Sequence, residues 1–350
     1  MTPRENLSST ILDITRRYQA AGYFPSACVR VFNARETLAA VCVGEAEEGS
    51  LFDVASLTKI ATATQILLLI QAGKLRLQDQ LKDHFPEIAG DEALNKRMGS
   101  VTLYQLLTHT STLPDWYPFY SRVGEDFFTA LTYALAHTAP TVGMVYSDLN
   151  FMLLGKLLEK IQGKPLAQCL RMDLTCPLEL GNMLYHPGGG QPIVPSCYGN
   201  EIEMEMCRER GISFDGFRPV GVPVTGTVND GNSHYYFRDE AGHAGIFADA
   251  LAYQRLCQFY MNTDDSLLLE AQREQAAAPG RGIGFQTGVS YPYGCGHTGF
   301  TGTSIYFSRE KQIGVVAFTN RLFYPHPNGN ATGDFRRVLH EAALALAGKN

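Results

Sequence analysis

The chain has 350 residues, of which 45% are hydrophobic and 18% are charged, with a formal net charge of −6 and a pI near 5.9. This composition predicts an ordinary globular protein, large enough for two structural layers around sizeable cores. The acidic balance and the lack of a Lys/Arg cluster argue against a nucleic-acid or acidic-membrane partner. The longest apolar runs, such as residues 38–43, are far too short to span a bilayer.

The first 22 residues predict an amphipathic helix that is capped near Ser8 or Ser9. No apolar core of signal-peptide type follows the first basic residue, so the sequence predicts a cytoplasmic protein. The eight cysteines include no C-x-x-C pair, and in a chain of this size without a signal we expect buried free thiols. Cys28 and Cys42 fall in neighbouring candidate strands and could face each other, which we interpret as core packing.

Two β-rich runs, residues 25–33 and 36–44, are separated by two residues and predict a hairpin. Further helices are predicted over residues 101–107, 125–136, 151–161 and 165–172. The irregular stretch over 186–240 is rich in Gly, Pro and Asn and is typical of a lid or a binding surface. Strands are predicted over 282–289, 303–308 and 312–320, and a closing helix over 335–347.

These elements together predict an α/β (α+β) fold in which an antiparallel β-sheet is flanked by helices. Because sheet and helix occur at both ends of the chain, we expect residues 1–75 and 241–350 to form one discontinuous domain. Residues 76–240 would then form an inserted, mainly helical domain. No internal repeat or low-complexity tract is visible in the sequence.

The most informative stretch is residues 51–75, where Ser56 opens a helix that is apolar nearly all round and that Gly73 ends. Lys59 lies three residues after Ser56 and therefore on the same helical face. Burial disfavours the charged form of a lysine, so we predict that Lys59 activates Ser56 as a nucleophile. A helix-capping role for the serine is the main alternative. A second Ser-x-x-Lys, at Ser308, has no apolar helix behind it.

A lysine-activated serine also needs a second proton-transfer group and donors for an oxyanion. Tyr146, which precedes a predicted helix, is our candidate for the first role, although a core tyrosine would look the same. His297 lies in the β-rich tail, where an edge-strand histidine is the simpler interpretation. The small residue Gly299 would let a substrate approach the strand edge, and the N–H of Phe300 could donate to an oxyanion.

Cofactor and metal sites have no support in the sequence. Residues 294–299 match G-x-G-x-x-G, but a strand-like run follows them where a dinucleotide-binding fold requires a helix. The nine histidines include no H-x-x-x-H or H-x-H pair, which argues against a metal hydrolase. We therefore predict no cofactor and no metal.

Taken in chain order, Ser56-x-x-Lys59, Tyr146-x-Asp148 and the triad His297-Thr298-Gly299 resemble the motifs of the serine β-lactamase and D,D-peptidase superfamily. The likeness lies on the class C side, with its esterases and penicillin-binding proteins, and extends over about residues 25–345. The resemblance is supported by four further stretches, LLTHTSTLPDW, YSDLNFMLLGKLLE, GHAGIFADA and VVAFTNR. The resemblance implies a β-lactamase/transpeptidase-like fold.

The resemblance also implies roles for individual residues. Ser56 would attack the acyl carbon, Lys59 and Tyr146 would share the proton transfers, and the backbone N–H groups of Ser56 and Phe300 would form the oxyanion hole. The expected substrate-binding residues are Asp148, His297, Thr298, Gly299, Asn320 and Arg321. Histidine at 297 replaces the lysine of many relatives, and Asp148 replaces the asparagine of class C enzymes. Both departures argue against an efficient β-lactamase.

We therefore predict a serine hydrolase that acts through an acyl-enzyme on small esters, amides or D-amino-acid peptides. The predicted partner is such a small-molecule substrate. The absent signal favours esterase or amidase chemistry over D,D-peptidase activity. Hydrolysis of the β-lactam ring and a non-catalytic binding protein on the same fold are the alternatives.

Overall fold

The computed structural model describes residues 3–324 and 332–347. Its main sheet has five antiparallel strands in the order β2-β1-β8-β7-β6. A smaller antiparallel sheet has the order β3-β5-β4. In chain order the strands are β1 Ala27–Phe32, β2 Thr37–Val43, β3 Phe52–Asp53, β4 Met183–Leu184, β5 Phe247–Ala248, β6 Cys295–Thr298, β7 Ser304–Ser308 and β8 Ile313–Thr319.

Thirteen α-helices lie in the part of the chain that the structure describes. They are α1 Pro3–Ala20, α2 Thr58–Gln71, α3 Leu81–His84, α4 Pro86–Gly90, α5 Glu92–Leu94, α6 Leu103–Leu107, α7 Phe127–Ala136, α8 Asp148–Gln162, α9 Leu166–Leu170, α10 Glu201–Glu209, α11 Ala250–Asn262, α12 Ser266–Ala271 and α13 Gly333–Ala347. Short 3₁₀ turns span Ala55–Leu57 and Phe119–Arg122, and π turns span Asn95–Gly99, Arg171–Thr175 and Asn232–Tyr236. Within 3–324 and 332–347, no helix combines the length and the apolar character that crossing a bilayer requires.

The five-stranded sheet is covered by helices on both faces. Because side chains alternate along a strand, Val29 and Val31 of β1 pack with α1 and α13, whereas Phe32 joins the larger core on the other face. Helix α11 lies on that second face, against β1, β7 and β8. The sheet therefore has two apolar faces, which confirms the predicted architecture of an antiparallel sheet flanked by helices.

Helix α2 is the centre of the larger core. Every residue from Thr58 to Leu67 is buried, so the helix contacts protein on all sides, as its all-round apolar character predicts. Its main helical neighbour is α8. A Cβ on Gly242 would lie 2.2 Å from the carbonyl oxygen of Phe151 and 2.8 Å from the backbone N of Gly155. The segment that contains Gly242 thus lies directly against α8, and the carbonyl of Gly242 accepts a hydrogen bond from Thr62 of α2.

Several local predictions are confirmed, including the hairpin of β1 and β2, the last two strands and the closing helix. Three need correction. Helix α1 begins at Pro3 and not near Ser8 or Ser9, since proline is favoured at the first helical position. Residues 282–289 form no strand, because Gly284 and Gly288 adopt positive φ angles of 85° and 89°. The stretch 186–240 is not irregular throughout, since it contains α10.

The prediction of buried free thiols is correct for five cysteines, at 169, 197, 207, 257 and 295. It is wrong for Cys28 and Cys42, which face each other across the hairpin of β1 and β2 and form a disulfide. Direct cross-strand partners place their side chains on the same face of the sheet, which is why these two meet. The free thiol of Cys176 is exposed, so the prediction of burial fails there too. The division into domains 1–75 with 241–350 and 76–240 stays a prediction.

Candidate active site

Ser56 lies in a tight turn between β3 and α2. The preceding residue, Ala55, has a φ of 47°, a left-handed conformation that is unusual for alanine. Asp53 stabilises this turn, because its carboxylate accepts from the N–H of Ala55 at 2.8 Å and from that of Asn229 at 2.6 Å. Burial raises the pKa of Asp53 to about 6, although both hydrogen bonds oppose the rise. Ser56 is thus presented half-buried at the start of a helix, where backbone N–H groups lack intrahelical partners.

The hydroxyl of Ser56 opens on a cleft of about 370 Å³, which we call the Ser56 cleft. Its lining includes Ser56, Tyr146, Thr298, Phe300, Arg321 and Arg336. A second cavity, of about 680 Å³, shares Gln286, Thr298 and Arg336 with it. The cleft therefore has room for a small substrate and continues into a larger space on one side.

Lys59 is fully buried one helical turn after Ser56. Its ammonium donates to the Oγ of Ser56 at 2.9 Å and to the carbonyl oxygen of His243 at 3.0 Å, and it contacts the Oδ1 of Asp148 at 2.8 Å. Burial acts to lower the pKa of Lys59, but the Asp148 carboxylate and the Tyr146 phenol more than offset it, so the pKa lies above its ordinary value. Burial therefore disfavours the charged lysine as expected, but the neighbouring groups outweigh this effect, and the sequence does not show which carboxylate lies beside Lys59.

Tyr146 lies across the cleft from Ser56, just before α8. The Nζ of Lys59 and the Cζ of Arg281 each lie 5.0 Å from the centre of its ring. The ring of His109 lies 4.6 Å from it, centre to centre. The ring of His297 lies 6.0 Å from it, so Tyr146 is held between two imidazole rings and two cationic groups.

His109 was not a candidate in the sequence analysis, although LLTHTSTLPDW contains it. Its Nδ1 accepts from the backbone N–H of Ser147 at 3.0 Å and lies 3.3 Å from the amide nitrogen of Asn150. Burial and the nearby Arg281 hold the pKa of His109 well below its ordinary value. The neutral ring therefore fixes the start of α8, and with it Tyr146, to the loop that precedes α7.

The strand β6 brings Thr298 and Gly299 to the lining of the cleft, whereas His297 is buried and does not line it. Burial, together with Arg281 and Lys59, holds the pKa of His297 well below its ordinary value, and its Nδ1 lies 2.8 Å from the carbonyl oxygen of Thr298. Since a carbonyl only accepts, Nδ1 carries the proton of a neutral imidazole. His297 thus supplies no positive charge beside the cleft.

Gly299 has a clear steric role in this wall. A Cβ at this position would lie 2.4 Å from the carbonyl oxygen of Val54 and 2.1 Å from the Oγ1 of Thr303. Thr303 in turn donates to that carbonyl at 2.9 Å. The absence of a side chain therefore lets the end of β6 lie against the turn that carries Ser56, and it places Phe300 beside the cleft.

Two arginines, Arg321 and Arg336, line the Ser56 cleft, and a third, Arg281, lies against the ring of Tyr146. Arg321 donates from Nε to the carbonyl oxygen of Phe300 at 2.9 Å, whereas the Nε of Arg336 and the Nη1 of Arg281 are buried without a hydrogen-bond partner among the described residues. Burial lowers the pKa of all three, that of Arg336 to about 10, and no described carboxylate opposes the effect. An arginine that lacks an anionic partner at a cleft is suited to bind a carboxylate or phosphate of a ligand.

The structure brings most of the predicted site residues together, but not all in the same way. Asn320 lies outside the cleft lining, because its amide accepts from the N–H of Ser26 at 2.9 Å and donates to the carbonyl of Pro195 at 3.1 Å. Asp148 points its carboxylate at Lys59. Arg281 and Arg336 were not predicted, since an isolated arginine in a sequence is indistinguishable from a surface residue. Within the described part of the chain, no group of three His, Cys, Asp or Glu side chains is arranged to hold a metal ion.

Comparison with known proteins gives concordant matches. Residues 12–341 match the family model described as Beta-lactamase. An N-acetylmuramyl-L-alanine amidase of Bacillus subtilis is 27% identical over 309 residues, which cover 79% of this chain and 69% of that protein. A putative D-alanyl-D-alanine carboxypeptidase of Salmonella typhimurium is 24% identical over 316 residues, covering 81% and 72%. The crystal structure of a class C beta lactamase superposes with a TM-score of 0.70 at 18% identity over 98% of each chain.

Proposed function

Because this chain belongs to the beta-lactamase family, we propose that it is a serine hydrolase that cleaves small amides or peptides bearing a free carboxylate, through an acyl-enzyme on Ser56. Family membership makes it a hydrolase of the beta-lactamase and peptidase type. The serine mechanism and the substrate are our proposal. The observation that carries it is the 2.9 Å contact between Lys59 and Ser56 at a cleft lined by two arginines without carboxylate partners, Arg321 and Arg336.

In the proposed reaction, the Oγ of Ser56 attacks the carbonyl carbon of the substrate. The negative charge that develops on the carbonyl oxygen is stabilised by the backbone N–H groups of Ser56 and Phe300. Lys59, which donates to the hydroxyl, and Tyr146, which lines the same cleft, manage the proton that Ser56 loses and that the leaving group gains. Water then hydrolyses the acyl-enzyme along the reverse path.

The arginines favour an anionic substrate over a neutral one. Arg321 and Arg336 both line the cleft, and the buried Oγ1 of Thr332, which has no hydrogen-bond partner among the described residues, lies near Arg336 at the start of α13. Burying a cation without a partner costs free energy, and a substrate carboxylate would remove that cost on binding. The names of the two relatives, an amidase and a carboxypeptidase, describe cleavage of an amide bond. This agreement is why we favour amides and peptides over simple esters.

Efficient hydrolysis of β-lactams is less well supported. His297 is neutral at the position where many relatives carry a cationic lysine, and Asp148 occupies the position of an asparagine. Both differences alter the charge close to the cleft that would receive the β-lactam. We therefore expect a β-lactam to acylate Ser56 slowly, if it reacts at all.

The test is intact mass spectrometry after incubation with a fluorophosphonate and, separately, with a labelled penicillin. We expect one fluorophosphonate adduct on the wild type and none on Ser56→Ala. Ser308→Ala is a matched control, because Ser308 belongs to the other Ser-x-x-Lys pair, is buried, and donates to the carbonyl of Tyr293. That variant should retain the adduct. An adduct that survives in Ser56→Ala would eliminate the proposed nucleophile.

The substrate class is tested by turnover of matched amides with and without a carboxylate. Faster cleavage of the carboxylated member by wild type supports the proposal. Equal rates for both members, or a preference for neutral esters, would instead indicate a general esterase. A stable penicilloyl adduct would favour a D,D-peptidase-like site.

A further inference from the structure

A small pocket adjoins the Ser56 cleft at Phe300, and we call it the Glu203 pocket. Phe300 lines both cavities, and its side chain is exposed. Arg321 fixes this residue, because its Nε donates to the Phe300 carbonyl at 2.9 Å and its Cζ lies 5.3 Å from the centre of the ring. The two cavities therefore meet at a residue whose position is held from outside the pocket.

The lining of the Glu203 pocket differs in chemistry from that of the cleft. It combines aromatic and carboxylate side chains, which are Tyr198, Glu201, Glu203, Phe300 and Tyr324. No lysine or arginine is among the described residues that line it, whereas Arg321 and Arg336 line the cleft. Aromatic faces and carboxylates both attract cations. The two neighbouring cavities are thus complementary to opposite charges.

Glu203 has one oxygen that is left without a hydrogen bond. Its Oε1 accepts from the backbone N–H of Gly231 at 2.7 Å. Its Oε2 is buried and completes no hydrogen bond to any residue that the structure describes. The phenol of Tyr120 also acts on this carboxyl, but it lies 3.3 Å from the Sγ of Cys207 and is shared with it. Because a buried acceptor without a donor costs free energy, the pocket is suited to a ligand that brings one.

The size of the pocket restricts what can enter it. Its volume is about 30 Å³, and a single water molecule needs about 10–15 Å³ on the same measure. There is room for an ammonium group but not for an aromatic ring. The amides of Asn200 and Asn229, which also line the pocket, are engaged with the Asn229 carbonyl and the Sγ of Cys197. Glu203 is therefore the lining group that remains to recognise a donor.

We propose that the Glu203 pocket is a subsite for a protonated amine on the acyl side of the substrate, and that Glu203 accepts a hydrogen bond from that amine. This inference rests on the proposed function and names its substrate class more closely. In a short peptide the free carboxylate belongs to the leaving group and the free amine to the acyl group. The carboxylate would lie at Arg336, and the ammonium would lie beyond Phe300. A water molecule bound to Glu203 is the alternative occupant.

The protonation of Glu203 gives this subsite a pH signature. Burial, and after it the carboxylate of Asp230, raise the pKa of Glu203 to about 8. The titratable and charged groups that face it are Asp230, Tyr120, Arg218 and Cys207. In the empty pocket the carboxyl therefore keeps its proton at neutral pH, whereas an alkylammonium stays charged up to about pH 10. The preference for an amine should consequently increase as the pH rises toward about 8.

The first test compares kcat/KM for amides that share one carboxylated leaving group and differ in the acyl chain. Each ω-aminoacyl chain, from β-alanyl upward, is paired with the alkyl chain in which a methyl group replaces the ammonium. At about pH 8.5 we expect the wild type to favour the amine by roughly 10- to 150-fold at the best chain length, the contribution of one hydrogen bond to a charged group. Glu203→Gln keeps an acceptor for the Gly231 N–H and should lose this preference.

Glu205→Gln is the matched control, because Glu205 lies on the same helix, α10, but is exposed and paired with Arg208. It should retain the wild-type preference. A wild type that favours the alkyl chain at every length would overturn the subsite, and so would equal preferences in wild type and Glu203→Gln. If the fluorophosphonate labels Ser56 in that same protein, the subsite has failed while the proposed function stands.

The second test measures binding without turnover. Methylammonium chloride should raise the melting temperature of the wild type above its value in sodium chloride of the same ionic strength, because a ligand of the folded state stabilises it. Tetramethylammonium, which is too large for a pocket of about 30 Å³, should not. Glu203→Gln should show no difference between methylammonium and sodium. Equal wild-type melting temperatures in these two salts would refute the subsite, whether or not Ser56 proves to be the nucleophile.

Discussion

Replacing Arg336 with methionine should separate recognition of the substrate's charge from catalysis. The side chain lines the Ser56 cleft, its Nε is buried without a partner, and its Nη2 makes one long contact, 3.4 Å, with the carbonyl of Thr303. A hydrogen bond to a charged group contributes about 1.5–3 kcal/mol. We therefore expect Arg336→Met to lower kcat/KM for carboxylated substrates by roughly 10- to 150-fold, and to leave that for neutral substrates nearly unchanged.

The same substitution should not destabilise the fold. Burial lowers the pKa of Arg336 from its ordinary value to about 10, a shift that corresponds to about 3 kcal/mol of unfavourable free energy for the charged form. This cost is present at every pH below about 10, and it is relieved only when the side chain loses its proton or is removed. Because the side chain is partly exposed, the gain from Arg336→Met will be smaller than that figure. We expect an unchanged or higher melting temperature at pH 7.5 by calorimetry.

The assay compares two matched pairs of amide substrates. One pair has a carboxylate on the leaving group and the other has it on the acyl group, and each carboxylated member is compared with its neutral counterpart. Arg337→Met is the control, because Arg337 is the next residue of α13 but is exposed and paired with Glu341 at 2.9 Å. The kcat/KM of Arg337→Met should differ little from that of the wild type with each of these substrates. Equal losses for charged and neutral substrates in Arg336→Met would refute the reasoning, since the arginine would then act on the reaction and not on the carboxylate.

Two further predictions concern the turn that carries Ser56. Gly299→Ala would place a Cβ 2.4 Å from the Val54 carbonyl oxygen. We expect this variant to lose about 1–3 kcal/mol of unfolding free energy and to have a lower kcat. An unchanged kcat would contradict the steric role of Gly299. The pKa of Asp53 is raised from 3.8 to about 6 in the folded protein. Between these two pH values the folded state therefore binds more protons than the unfolded state. The contribution of Asp53 to the free energy of unfolding consequently falls as the pH rises across that window. Asp53→Asn should therefore flatten the profile of unfolding free energy between about pH 4 and 6, and an unaltered profile in urea titrations would contradict the assignment.

The sequence is sufficient to predict a helix or strand when the interactions that determine it are local. The apolar helix after Ser56, the hairpin of β1 and β2 and the closing helix all follow from periodicity within single segments. Where an apolar pattern competes with backbone constraints, prediction fails. Ile283 and Phe285 alternate as in a strand and are both buried, yet the glycines between and after them turn the chain away from the sheet.

At α10 a helix forms where the pattern of apolar residues indicates a strand. Apolar residues at Ile202, Met204 and Met206 recur with a period of two, which is a strand pattern and obscured the helix. Its glutamates and methionines are good helix formers, and their preference prevails in a segment that buries little of its length. Helix α11, which covers the sheet, is a second helix that was not predicted from the sequence.

In the candidate site, the features that depend on contacts with residues distant in the sequence could not be predicted. The charge of Lys59 depends on Asp148, and the role of His109 depends on the N–H of Ser147. The disulfide between Cys28 and Cys42 depends on strand register. In each case the residue type was visible, but the atom it contacts was not. The lack of a partner for Arg281 and Arg336 is even less accessible, since only a structure shows which carboxylates lie elsewhere.

The turn that carries Ser56 is completed by segments synthesised long after it. Thr303 reaches the Val54 carbonyl across 249 residues of chain, and Lys59 reaches His243 across 184. Contacts of such separation form slowly, and synthesis delivers the N-terminal segments first. A nascent chain that already exposes Ser56 and Lys59 therefore lacks the wall that holds Phe300 and Arg321. Hydrolytic competence is acquired only when strands β6 to β8 join the sheet, so unfinished chains are inert toward the substrates of the finished protein.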